Sequence, residues 1–420
     1  MTGMKMDIDA LRKDFPFVSS LCYLDSASVS PSPQPAVDVM KDYYTHQPFN
    51  FGVGVSRAAS EVISLVNQAR ERLATFICAR SASEIIFTKN TTEAINLVAS
   101  GIQWKPGNEI IISCLEHQSN VIPWMRLAEE RGIRLTVLPV GPERVLDTEV
   151  VEQHLSENTR LLAVTHVSNV FGSIQPVAEI GALARSRDIL FLVDAAQSAG
   201  RVPIDVNEIQ CDFIAFCGRK SLLGPQGTGF LYSKEVHMEH LRPLVVGSRA
   251  GNVIDENSFE FVAGPHKFEA GVLNTGGVLG LAAAVEYIED IGLSAIQSRL
   301  KTLSKLLVSE LQMIPELDLY GAAELDVQAG IVAWNLLEMD PNQVARELDQ
   351  MANIIVASGG QGSRLAMRHL GVEEIVRSSV HFYNSEEEIH KLIKAIKDLV
   401  QRHKSKVVLS NNVDLDNISN

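Results

Sequence analysis

Between residues 83 and 232 the chain alternates short apolar, β-branched runs with helical stretches; the runs are EIIFT, EIIISC, RLTVLPV, TRLLAVTHV, ILFLVDAA, CDFIAFC and GTGFLYS. Strands that alternate with helices imply a largely parallel sheet, because parallel neighbours need crossover connections and the crossover helices cover both faces. In such sheets ligands bind beyond the carboxyl ends of the strands. The residues that follow each run are therefore the ones to inspect.

A chain of 420 residues with 46% hydrophobic content and 28 glycines is long enough for one large domain and a smaller one. Segment 247–271 is long and irregular, and a loop of that length is expected to be functional. After about residue 277 the texture changes to long amphipathic helices, a strand around GIVAWNL and a last helix that carries Ile389, Leu392, Ile393, Ile396, Leu399 and Val400 on one face. The expected organisation is an N-terminal segment (1–25) packed with the small domain, a large domain (26–277), a small α+β C-terminal domain (278–404) and a flexible tail (405–420).

The net charge of −14 argues against a surface that collects phosphate backbones, so nucleic acid is not an expected partner. No apolar run approaches the roughly 20 residues of a bilayer span, and the polar start MTGMKMDIDALRKDF has no signal-peptide core. A cytoplasmic protein without membrane contact is expected. Cys22, Cys78, Cys114, Cys211 and Cys217 stand at wide, irregular spacings, which fits buried reduced thiols better than a disulfide framework or a metal site.

Three strand-end motifs carry chemistry. FLVDAAQSAG places Asp194 directly after apolar residues, where a carboxylate is costly unless a cation meets it. A protonated pyridine nitrogen is one such cation, and a helix-capping Asp is the competing explanation. CDFIAFCGRKSLLGPQGTGFLY sets Lys220 between an apolar strand and a glycine-rich turn, the partly desolvated setting that a Schiff-base lysine needs. TKNTTEAINLVASGI opens a helix with Asn90, Thr91 and Thr92, whose N–H groups and hydroxyls suit a phosphate dianion. Plain N-capping accounts for those residues equally well.

Taken in order, CLEHQSNVIPW, HVSNVFGSIQPV, VDAAQS, CGRKSLLGPQGTGFLY and FEAGVLNTGGVLGL resemble the class V aminotransferase superfamily of pyridoxal phosphate (PLP) fold type I, in its cysteine desulfurase and selenocysteine lyase (SufS-like) branch. The match runs from YLDSASVSPSP to VRSSVHFYNSEEEI, almost the whole chain. The resemblance implies PLP as a Schiff base on Lys220, Asp194 paired with the pyridinium, and His117 stacked on the ring as a proton relay. It also implies that Gln197 and Asn169 bond the ring-oxygen side of cofactor and substrate, and that Thr91, Thr92 and Arg219 hold the phosphate. Arg219 stands where the family often has His. Arg377 would grip the substrate α-carboxylate, in the bidentate way arginine binds carboxylates. Thr275 matches the residue that completes the partner subunit's phosphate cup, which implies a homodimer with its active site at the subunit interface.

Two departures stand beside these matches. In VASGGQGSRLAM, Ala357 takes the place of a family arginine and Gly362 that of the cysteine that carries the persulfide; in FGVGVS, Val53 replaces a second arginine. What the residues then favour is a PLP enzyme acting on a small amino acid, by C–S lysis through β-elimination without a persulfide cysteine. A class V aminotransferase or epimerase is the alternative within enzymes, and a non-catalytic dimeric scaffold the alternative outside them. Substrate identity is not legible in the sequence.

Overall fold

The computed structural model describes residues 6–49, 56–321 and 328–418, with side chains described to residue 405. Val53 lies outside the described residues.

The seven apolar runs form one seven-stranded sheet: β1 (Ile85–Thr88), β2 (Glu109–Ser113), β3 (Arg134–Leu138), β4 (Thr159–Thr165), β5 (Leu190–Asp194), β6 (Phe213–Cys217) and β7 (Gly229–Ser233). Their spatial order is β1-β7-β6-β5-β4-β2-β3, with all pairings parallel except the two made by β7. The strands β2, β6 and β7 are buried along their whole length, as a sheet covered on both faces requires. The chain passes from β2 out to the edge strand β3 and returns to place β4 on the other side of β2. That reversal makes a crevice between the carboxyl ends of β2 and β4.

A second, four-stranded antiparallel sheet follows, in the order Leu317–Tyr320, Ile331–Leu336, Ile375–Ser379, Ala357–Gly359. It packs with the helices Leu293–Gln312, Pro341–Ala352 and Glu386–Ile418. The last helix buries Ile389, Leu392, Ile393, Ile396 and Leu399, as its spacing predicts. It does not stop near Lys404, where a flexible tail was expected, but continues to Ile418; no Gly or Pro follows Lys404 to end it. The irregular segment also contains more order than its sequence suggests, an exposed hairpin of Gly251–Asp255 and Ser258–Phe261. Among the described residues no helix is long and apolar enough to cross a membrane.

The N-terminal segment is bound to the second sheet's unit. Cys22–Tyr23 pairs in parallel with Ile354–Ile355, and Arg12 holds both carboxylate oxygens of Glu388 at 3.1 and 3.2 Å. The cysteines differ from the expectation in one respect, since Cys78 is exposed at the end of its helix while the other four are buried.

Arg201 ties these parts together. It is fully buried with no acidic partner among the described residues, and it donates to Ser221 Oγ (2.5 Å), Ala329 O and Val380 O (both 2.8 Å) and Ser26 Oγ (2.9 Å). Those acceptors come from the N-terminal segment, the turn after Lys220 and two chain segments beside the second sheet. Burial lowers its pKa to about 10, so the charge persists at neutral pH.

Arg201→Met keeps the apolar stem but leaves two buried carbonyls unpaired, each worth about 1–3 kcal/mol. The expected outcome is a loss of about 3 kcal/mol in urea unfolding of the cofactor-free protein. An unchanged midpoint would show that Arg201 is not a structural junction.

Candidate active site

A cavity of about 350 Å³ opens at the carboxyl ends of the central strands, at the crevice where the strand order reverses. Each strand end delivers one group. β1 leads into the helix Thr91–Gly101, β2 into His117, β4 into Asn169, β5 ends on Asp194, and β6 leads into Arg219 and Lys220. Arg377, from the second sheet, closes the wall. Nine of the ten residues singled out in the sequence line this one cavity. The tenth, Thr275, lies at the start of the helix Thr275–Ile291, buried and outside it.

The helix at β1 is capped by Asn90, whose Oδ1 accepts the Glu93 N–H at 2.9 Å, while Glu93 Oε2 accepts the Lys89 N–H at 2.5 Å. Capping falls to Asn90 and Glu93, so the threonines are not spent on it. Thr92 Oγ1 meets Ser119 Oγ at 2.7 Å, and the buried Thr91 Oγ1 has no partner among the described residues. A helix N-terminus with a free hydroxyl is a ready anion site.

At the far end Asp194 is buried, with only the Ala196 N–H on Oδ1 (2.8 Å). No cation is within ion-pair distance among the described residues. Burial raises its pKa, with the Lys220 charge pulling the other way. Burial likewise lowers the pKa of Lys220, whose Nζ has no hydrogen-bond partner among the described residues. Gln197 donates to Ala27 O at 2.8 Å and leaves Oε1 buried without a partner. An unmatched acid, a free amine and an anion-binding helix end, arranged around one cavity, fit a molecule with a basic ring nitrogen, a carbonyl carbon and a phosphate.

Other expected residues are already engaged. Asn169 donates from Nδ2 to Gln361 O (2.9 Å) and accepts from Ser363 Oγ (2.9 Å), so its amide anchors the 361–363 loop. Arg219 donates to Ser28 O at 2.5 Å, which directs its guanidinium toward the N-terminal segment. Arg377 donates to Asp25 Oδ1 (3.0 Å), Ser28 Oγ (2.6 Å) and Asn169 O (2.9 Å), and its Nε is buried without a partner.

Gly362 occupies a place where a side chain would require His117 to shift. Its φ is +67°, and a Cβ there would stand 2.5 Å from His117 Nε2. The Gln118 N–H donates to Gly362 O at 2.7 Å, so the loop backbone packs directly against His117. Several wall residues escaped the sequence analysis. Cys217 ends β6 and faces the cavity, and the strand-end rule points to it directly. Asp25 and Ser28 fall in DSASVS, and only the fold brings that string to Arg377.

Residues 22–392 match the family model for class-V aminotransferases. A probable cysteine desulfurase of Methanothermobacter thermautotrophicus is 40% identical over 399 residues, which cover 94% of this chain and 98% of the relative. The apo structure of a cysteine desulfurase from Thermococcus onnurineus NA1 superimposes with a TM-score of 0.92 at 36% identity, covering 96% of this chain and all of that one. A cystine C–S lyase solved with its reaction product, cysteine persulfide, has a TM-score of 0.80 at 25% identity, covering 90% and 98% of the two chains.

Burial lowers the pKa of His117 to about 4, helped by the charges of Lys220, Arg377 and Arg219. Because the folded value lies below the ordinary 6.5, this group's stability contribution is complete above about pH 6.5 and is lost as pH falls toward 4. The imidazole proton resonances of His117 in the cofactor-free protein are expected to stay in the neutral position from pH 5.5 to 8. A midpoint near 6.5 would place His117 in open solvent.

Proposed function

The chain belongs to the class-V aminotransferase family and is a PLP-dependent enzyme of the cysteine desulfurase type; from that premise we propose that it cleaves a C–S bond of a cysteine- or cystine-like amino acid by β-elimination, without a persulfide cysteine. The observation that carries this reading is Gly362. At the position matched to the family nucleophile the chain has a glycine in the left-handed region, packed so closely on His117 that any side chain there would require the imidazole to shift.

The bound cofactor supplies an electron sink for the pair left on the substrate Cα when one of its bonds breaks. We assign the other tasks to this chain's residues. Lys220 would hold the cofactor covalently and would take the Cα proton, and its lowered pKa keeps more of the amine neutral. Asp194 would pair with the ring nitrogen, Thr91 and Thr92 would hold the phosphate at the helix end, and Gln197, on the cavity wall, would offer its unpaired acceptor. His117, neutral at physiological pH, would cover the ring and could relay a proton to the departing sulfur. Arg377 orients the α-carboxylate, Asn169 holds the loop above it, and Arg219 adds positive charge. Loss of the sulfur from Cβ after loss of the Cα proton leaves an aminoacrylate, which water converts to pyruvate and ammonia. The likeness to a cystine C–S lyase supports this outcome.

Cys217 favours a second reading. It is a thiol on the same cavity as Lys220, so desulfuration with a relocated nucleophile is also compatible with this site. The two readings differ in product, since transfer of sulfur to a thiolate leaves alanine.

We also assign a homodimer whose partner contributes Thr275. The surface near Thr275 exposes Val272 (77%), Val245 and Val246, and the hairpin exposes Val253 (82%), Ile254 and Phe259. Apolar patches of this kind mark contact surfaces.

Three outcomes follow. With cysteine or cystine, the enzyme and its Cys217→Ser variant are expected to release pyruvate and ammonia at comparable rates; alanine as the main product, lost on that substitution, would establish the relocated nucleophile. Asp194→Asn, which keeps the shape and removes the charge, is expected to lower kcat about a hundredfold; a near-native kcat would place the ring-nitrogen partner elsewhere. Sedimentation is expected to give a dimer, and Thr275→Ala to weaken cofactor retention, whereas a monomer with full retention would refute the shared site.

A further inference from the structure

One buried acid in this region has no part in the steps above. Glu116 is fully buried, and its Oε1 lies 2.5 Å from Ser113 Oγ and accepts the Thr165 N–H at 3.0 Å. Its Oε2 accepts Asn120 Nδ2 at 2.7 Å, and Asn120 Oδ1 in turn accepts Trp124 Nε1 at 3.0 Å. Every partner is neutral. By contrast, the buried carboxyls of Glu269, Glu109 and Glu388 each meet an arginine: Arg70, Arg134 and Arg12.

Glu116 is also fixed beside Asp194. The Thr165 N–H that it accepts belongs to the β4 residue registered directly against Asp194 on β5. The titratable groups acting on this pair are Cys114 at the end of β2, which feels Glu116, and Lys220 beyond β6, whose charge acts on Asp194. The two carboxyls lie on either side of β4 in one dry interior, and the Asp194 charge disfavours a second charge on Glu116. Asp194 opens on the cavity and has the lysine charge, whereas Glu116 has only neutral donors.

We propose that Glu116 is a positioning residue that stays protonated in the folded protein, so that the negative charge of this buried pair resides on Asp194 alone. A proton on Oε1 is shared along the short contact with Ser113 Oγ, which also accepts the Leu115 N–H. Burial pushes the Glu116 pKa up to about 8 against these hydrogen bonds, and the Asp194 charge adds to the rise. The idea rests on the assignment of Asp194 to the ring nitrogen, but the protonation of Glu116 is measurable without the cofactor.

The direct experiment is infrared spectroscopy of the cofactor-free protein carrying 13C-labelled glutamate, which needs no variant. A protonated carboxyl band is expected at pH 6, absent from Glu116→Gln and fading as pH rises through about 8. Stability gives a second readout. Since the folded pKa lies above the ordinary 4.5, the folded state holds an extra proton and loses stability as pH rises from about 4.5 to 8. The melting temperature of Glu116→Gln relative to the parent is therefore expected to rise from pH 5 to pH 8. A carboxylate signal for Glu116 at pH 6, or a melting difference that does not change with pH, would overturn the proposal. In the loaded enzyme Glu116→Gln is expected to keep the cofactor absorption spectrum and Asp194→Asn to change it. If Asp194→Asn leaves the spectrum unchanged while Glu116 is protonated, the Asp194 assignment fails and the protonation of Glu116 stands.

Discussion

The site is organised around a buried carboxyl, Asp194, for which the chain provides no ion-pair partner among the described residues. A charge at the end of a fully covered strand costs several kcal/mol unless something compensates it. Here the compensation is left to whatever occupies the cavity, and the neighbouring groups follow from that. Among the described residues Lys220 is desolvated and unbonded and Thr91 keeps a hydroxyl without a partner, while His117 is pushed toward its neutral form. Each is an unfavourable arrangement in the protein alone and a favourable one around a molecule with a basic nitrogen and a phosphate. Protein interiors tolerate unsatisfied groups where function requires them.

The cavity wall also holds three cationic side chains, Lys220, Arg219 and Arg377, against one acid, Asp194. That excess matches a phosphate dianion and an α-carboxylate bound together. The arginines serve the architecture as well. Arg219 and Arg377 both hold Ser28, Gln197 holds Ala27 and Arg201 holds Ser26, so the N-terminal segment is fastened across the site by side chains from both sheet units. Arg377 is itself fixed by Asp25 and Asn169, so in its proposed role it would present a pre-oriented guanidinium to the substrate carboxylate.

The central sheet was legible in the sequence because most of its strands are buried on both faces and read as apolar runs, the edge strand Arg134–Leu138 excepted, and the strand-end rule then led to Asp194 and Lys220. Contacts that depend on tertiary approach were not legible. Nothing local in DSASVS shows that Asp25 and Ser28 meet Arg377 some 350 residues later. Asn169 lines the cavity, but that its amide also holds a loop from the second sheet was not legible. The hairpin at 251–261 was not anticipated, since Ser258–Phe261 alternates polar and apolar residues but its partner Gly251–Asp255 does not, and the last helix runs on because no breaker residue follows it. Gly362 was visible as an absent side chain, but its left-handed backbone and its packing on His117 were not.

The central claim is that the cofactor is held on Lys220. Borohydride reduction of the yellow holoenzyme, followed by proteolysis and mass spectrometry, tests it most directly. The account predicts one stable pyridoxyl adduct on the Lys220 peptide, absent from Lys220→Ala. An adduct on another lysine, or one that persists in Lys220→Ala, would contradict it.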